Sequence, residues 1–453
     1  MKAKFVLLGC AGSIVLCLGT CGIGTFIFTK QAGDGFIREI AQAKKDGLPT
    51  TAEDFSPAVD PAKNSAPALV AAAKSMRDQV RDLAKNAKEP QKSMLQLSNR
   101  GWSQTVSAND SILQPAIAKL KPTLDKAVRA TKMPGFRFDR DYTRGFDLLF
   151  PEYADFKTLT RWLSVRAILR ANSGDGAGMA EDLTALAKIS AACGSEDFLI
   201  GFLVQVATES ITLQTMEQCL TEAKGRPGTI RAVRQAMKAF APVPNVKNAS
   251  RGEYFLSMTS MQKLIKNRNP KDLEMMTSYG EESDDSSRMF SELMLTQGFL
   301  EANAANLLRT TRENYLALPK DPLDLTKAKA VFAATDKKLD AEANNINYVF
   351  ARIMMPVFAG ASEAFVRSAQ QRRLLEVLLV SLEERHRTGT FPAKLPVTGA
   401  LATDLFDGGK LQYSNVPGKL KIYSVGIDGF DNGGAQPSDG NVKDIDIVVS
   451  FPR

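Results

Sequence analysis

FKTLTRWLSVRAILRANSGDGAGMAEDLTALAKISAACGSEDFLIGFLVQVATESITLQTMEQCLTEA, residues Phe156 to Ala223, decides the fold class. Phe156, Leu159, Leu163, Ala167 and Arg170 recur at helical spacing until SGDGAG, from Ser173 to Gly178, breaks the pattern. A second helix is expected from Met179 to about Ala192, and a third from Phe198, beyond Gly194 and Ser195. The third is apolar nearly all round its first half, as a helix buried in a larger helical core would be. Gln205, Thr208 and Glu209 interrupt it too early for a membrane span. Short connections between amphipathic helices favour antiparallel neighbours, so packed hairpins with turns at Ser173–Gly178 and Gly194–Ser195 are expected. No fixed-period repeat signature accompanies them.

Upstream, APALVAAAKSMRDQVRDL from Ala66 to Leu83 turns helical, with Asn64 or Ser65 as N-cap and Pro67 in the first turn. Gly47 to Leu69 carries four prolines and little periodicity, and reads as an extended linker or strap. Phe5 to Thr29 contains no charge and is flanked by Lys2, Lys4 and Lys30. About 25 such residues suffice to span a bilayer, against about 7–15 for the apolar region of a cleaved signal peptide. A retained anchor is therefore expected, with export of the long C-terminal part. Leu7-Leu8-Gly9-Cys10 and Leu18-Gly19-Thr20-Cys21 leave a lipoprotein reading open.

At 453 residues, 44% hydrophobic and 24% charged, the chain is too apolar for disorder and long enough for two or three folded units. The net charge of +8 is spread among nearly as many acidic residues, which argues against a clustered nucleic-acid footprint. Cys10, Cys17 and Cys21 lie in the apolar segment; Cys193 sits just before the helix boundary at Gly194-Ser195 and Cys219 near the far end of the following helix, and a continuous helix would hold the two on the order of 35 Å apart. No disulfide is expected between those two.

Catalytic motifs are missing. His386, the single histidine, sits in ERHRTG at a helix C-terminus, where it suits the dipole. Asp175, Gly176, Gly178, Glu181 and Asp182 read as a helix break followed by an acidic first turn. RSAQQRR, on the long helix whose apolar stripe is Phe358, Phe365, Ala369, Leu375, Leu379 and Leu382, reads as a solvated face. Pro356 marks a kink or restart, and SYGEESDDSSR, Ser278 to Arg288, a solvated acidic loop.

At the C-terminus, YSVGIDGFDNGG from Tyr423 to Gly434 packs two aspartates, an asparagine and four glycines behind a short alternating run. Asp428, Asp431, Asp439 and Asp444 offer the carboxylates that calcium takes, with glycines letting the backbone turn about it. Asp-Gly and Asn-Gly pairs also make tight turns unaided, so cation loop and plain turn both stand.

The order Gly389-Thr390-Phe391-Pro392, then Tyr423 to Gly429, Gly433-Gly434 and Asp444-Ile445-Asp446-Ile447 resembles the C-terminal region of the type II secretion major pseudopilins. That resemblance covers the last quarter of the chain and implies a helix leading through a turn to a small sheet with a calcium-binding loop. NSAPAL, SEDFLIGFLVQVA and the IMMP helix, together with this C-terminus, look like a broad group of uncharacterised bacterial membrane-anchored proteins, which implies an architecture and no activity.

The expected fold is mainly α, with a transmembrane anchor at 1–30, a Pro-rich linker at 31–66, a helical domain at 67–335, and a long helix plus pseudopilin-like β module with a short antiparallel sheet at 336–453. The expected role is non-enzymatic: scaffolding or protein interaction by a single-pass protein of the bacterial inner membrane, with most of the chain extracytoplasmic, other envelope proteins as partners and no nucleic acid. A calcium-binding pseudopilin-like component of a secretion or surface assembly is one alternative. An enzyme with a carboxylate site in the helical domain is the other.

Overall fold

The computed structural model describes the chain except for residues 1–26, 86, 90, 98–101, 278–293, 356–357, 435–445 and 453. In chain order the helices are α1 at residues 27–45, α2 Ala52–Phe55, α3 Ala66–Lys85, α4 Gln91–Gln96, α5 Asp110–Ala130, α6 Glu152–Ser173, α7 Gly176–Cys193 and α8 Leu199–Glu222. Then come α9 Pro227–Met237, α10 Val246–Asn267, α11 Pro270–Thr277, α12 Gln297–Ala317, α13 Leu325–Ala341, α14 Val349–Met354 and α15 Phe358–Thr388. Strands β1 Gln412–Val416, β2 Lys419–Ser424 and β3 Ile447–Pro452 form one antiparallel sheet in the order β1-β2-β3. A mainly helical chain with a small C-terminal sheet is thus what the sequence specifies.

The turns of the central hairpins have local causes. Gly174 adopts a left-handed φ of 84° that ends α6. Asp175 then caps α7 by accepting a 2.9 Å hydrogen bond from the Gly178 N–H. α6, α7 and α8 pack against one another, and Phe156, Leu159, Leu163 and Ala167 are fully buried. Gln205, Thr208 and Glu209 do not interrupt this core: all three are buried within it. Thr208 satisfies its hydroxyl on the Val204 carbonyl of its own helix, at 2.8 Å.

The apolar core falls into three clusters. Trp162, Leu186 and Met216 pack with Leu378 and Leu382 of α15 and with Leu420, Ile422, Val449 and Phe451 of the sheet. Phe36, Phe255 and Leu300 belong to a second cluster, and Phe202, Phe332, Phe358 and Phe365 to a third. α15 contributes to both the third and the first, and each of these two clusters holds residues from both sides of the boundary expected between residues 335 and 336.

Three expectations need correction. Residues 31–45 are helical, not an extended linker, because Phe36, Ile40 and Ala43 pack into the second cluster. Gly33 makes room there: a Cβ on it would lie 3.0 Å from Oε2 of Glu301 on α12. Glu39 of α1 is held by Arg309, at 2.8 Å, and by Arg312. RSAQQRR is not a solvated face. Arg372 is ion-paired to buried Glu209, which also accepts from Ser368 at 2.7 Å, and Gln370 accepts from the Leu405 N–H at 2.8 Å. Asp182, expected as an acid of the first turn of α7, lies beyond that turn and is a fully buried partner of Arg166 and Arg170.

Among the described residues no helix is long and apolar enough to cross a membrane. The expected span lies almost wholly within residues 1–26, and the acidic insert within 278–293, both outside the described residues. Cys193 and Cys219 are buried and free, and burial pushes the Cys193 thiol up to about 12. His386 lies in the last turn of α15.

Candidate functional site

A polar cleft of about 750 Å³ opens where α8, α15 and β3 meet. Its walls follow from helical spacing. Ser210, Gln214, Glu217, Gln218 and Thr221 share the α8 face turned away from the hairpin core, and Arg367, Gln371 and Leu375 recur every four residues on α15. Lys419 of β2 and Asp446, just before β3, stand at the sheet side.

The third wall is a strand edge. β3 pairs only with β2 among the described strands. The Ser450 N–H points away from that ladder and donates to Oε1 of Glu217 at 2.8 Å. Backbone groups alternate along a strand, so Val448 turns the same edge toward the cleft. Exposed Pro452, with no N–H to offer, closes it. The edge is thereby covered by α8 at Ser450 and ended by a proline, devices that limit uncontrolled pairing, and Val448, between them and Asp446, lines the cleft.

Burial pushes the Glu217 carboxyl up to about 7, against the pull of the Ser450 N–H and of Lys419. Burial also raises Asp446, despite hydrogen bonds from the Gly434 N–H at 2.7 Å and the Asn432 N–H at 3.1 Å; Asp431 and Asp428 add to the rise. Burial depresses Arg367, while the charges of Glu363 and Asp428 oppose that fall. Chemically, the site offers one carboxyl that exchanges a proton near neutrality, two cations and a row of neutral donors and acceptors.

Glu217 supplies a pH test. A carboxyl raised from 4.5 to about 7 in the folded protein binds more protons folded than unfolded between those values. Its contribution is therefore complete below about 4.5 and is lost as pH rises toward 7. Glu217→Gln should gain on the native protein in melting temperature between pH 5 and pH 8. A difference that is flat or falls over that range contradicts this account.

The loop residues expected to bind a cation are only partly gathered. Asp428 accepts from the Phe430 N–H at 3.2 Å and Asp431 from the Gly433 N–H at 2.8 Å, each closing its own turn. Asp439 and Asp444 lie outside the described residues. The carboxylate that binds the loop backbone is Asp446, which sequence reasoning passed over, although its place just before the final alternating run was the available signal. Calcium takes six to eight oxygens; one oxygen each of Asp428 and Asp431 and both of Asp446 accept from backbone N–H groups. Among the described residues no group of three or more His, Cys, Asp or Glu residues is placed to hold a metal.

Elsewhere, perturbed groups serve packing. Arg140 reaches Glu196 at 2.5 Å and also Glu152, with its guanidinium 4.2 Å from the Phe138 ring centroid and 4.5 Å from that of Phe150. Glu253 accepts from the Leu199 N–H at 3.0 Å, satisfying the first donor of α8, and burial holds it at about 7. No family model, no curated protein and no solved structure matches the chain.

Proposed function

We propose that the protein is a single-pass scaffold of the bacterial inner membrane, anchored through Phe5 to Thr29, with its bulk extracytoplasmic, and that it holds another envelope protein in the cleft between α8, α15 and β3. The observation that carries this reading is the cleft itself, about 750 Å³ of polar-walled space beside a strand edge, the volume of a ligand pocket and room for a short segment of a partner chain. The uncharged N-terminal segment supports the anchor. The protein should stay in carbonate-washed membranes, and after detergent extraction one partner should co-purify with it and be lost from a Gln214→Ala, Gln371→Ala variant. A soluble protein, or equal partner recovery by the variant, counts against this reading.

One observation favours a second reading. Glu217, held near 7 in a polar cleft with Asp446 also raised, suits a general acid or base, so an enzyme is the competing proposal. A turnover that survives Glu217→Gln would eliminate it.

The pseudopilin-like C-terminal fold is likewise a proposal. It is supported by the order of a long helix, a turn at Gly389 with φ of 83°, and a three-stranded sheet packed on that helix. Calcium binding by its loop rests on Asp439 and Asp444 joining Asp428 and Asp431. It requires the full chain to melt higher in millimolar calcium than in chelator; equal melting leaves the turn alone.

A further inference from the structure

The geometry points to an extended peptide, gripped by its backbone, as what the cleft holds; this rests on the interaction reading above and gives its partner a chemistry. The lining residues carry two carboxyls, Glu217 and Asp446, against two cations, Arg367 and Lys419, so that even with Glu217 part-protonated near neutrality the net charge is small. Recognition then falls to neutral groups.

Those groups are carboxamides and a strand edge. Gln214 and Gln371 face the cleft from opposite helices, and each carboxamide carries both donors and an acceptor. The β3 edge presents the N–H and C=O of Val448 and the C=O of Ser450, whose N–H is taken by Glu217 and fixes the register. An extended chain shows the complementary alternation. At Ser450 the Glu217 carboxylate takes the place of a strand carbonyl, so the main-chain bonds by which strand addition delivers affinity fall at Val448.

Length agrees with this ligand. From Ser210 to Thr221 the α8 wall runs about 16 Å at 1.5 Å per residue, which matches roughly five extended residues at 3.3 Å each. No aromatic ring is among the cleft's described lining residues, so there is no stacking platform of the sort that holds unpaired bases.

The test uses the full chain in detergent micelles with a fluorescent library of uncharged pentapeptides, the same peptides methylated at each backbone nitrogen, and a neutral glucan oligosaccharide of similar length. Members of the first set should bind. Methylation at one or more nitrogens should weaken them at least tenfold, and the Gln214→Ala, Gln371→Ala variant should lose at least as much with its melting temperature unchanged. Val448→Pro, which removes the outward N–H and leaves the β2 ladder bonds, should also weaken binding, and Val448→Ala should not. Absence of binding by any pentapeptide, equal binding by all methylated forms, or preference for the oligosaccharide would overturn the inference. If a co-purifying partner still depends on Gln214 and Gln371 in that event, the interaction reading survives and only the peptide chemistry fails.

Discussion

Replacing Arg166 with methionine is expected to destabilise the protein by about 3–5 kcal/mol, the usual cost of stranding a buried charge. Asp182 has no exposed side-chain surface. Arg166 meets it twice, Nη2 to Oδ1 at 2.7 Å and Nε to Oδ2 at 3.0 Å, and reaches Asp125 at 2.7 Å with Nη1. Methionine fills much of the volume and restores none of the charge. Arg170 would remain, 2.8 Å from Oδ2, insufficient for both oxygens. Burial already lifts the Asp182 carboxyl against the pull of its two arginines, so without Arg166 it takes up a proton more readily. The loss should therefore be smaller at pH 5 than at pH 8. Denaturant midpoints across that range test this, and a loss below about 1 kcal/mol, the ordinary size of an exposed pair, would show the network to be dispensable.

Arg372→Met should cost a similar amount, about 3–5 kcal/mol, and should loosen α15 from α8. Glu209 is fully buried in the middle of α8, and its partners Arg372 and Ser368 both come from α15. Arg372 also donates to the Ala241 carbonyl at 2.7 Å and lies 4.9 Å from the Phe240 ring centroid, so one side chain joins three segments. With arginine gone, the Glu209 carboxylate keeps only the Ser368 hydroxyl. Combining Arg372→Met with Glu209→Leu removes both charges and should recover much of the loss. A double variant as unstable as the sum of the two singles would contradict the pairing.

The helical hairpins were legible because their causes are local. Phe156, Leu159, Leu163 and Ala167 announce one face within four turns, and Gly174 with Asp175 stops one helix and starts the next within two residues. What stayed hidden depends on distant partners. Gln205, Thr208 and Glu209 look like breaks in an apolar helix because their solvent is protein. Glu209 finds its cation 163 residues away, and the same pairing turns RSAQQRR from a surface face into an interior joint. α1 was missed because Gly33 and Gly35 weaken its pattern, and because the face that buries Phe36, Ile40 and Ala43 makes sense only against α12. Of the cleft, the sequence offered the α8 spacing but not its use. Glu217 finds its hydrogen-bond donor on a strand more than 200 residues later, and no periodicity carries that information.

The central claim, that a partner lies in the cleft between α8, α15 and β3, is tested most directly by photo-crosslinking in intact membranes from a probe amino acid placed at Gln214, with one at exposed Arg81 on α3 as reference. The account predicts a single crosslinked protein from position 214, absent from position 81, whose attachment site maps to an extended stretch of its chain. Equal crosslinking from both positions, or none from 214 while the partner still co-purifies, would contradict it.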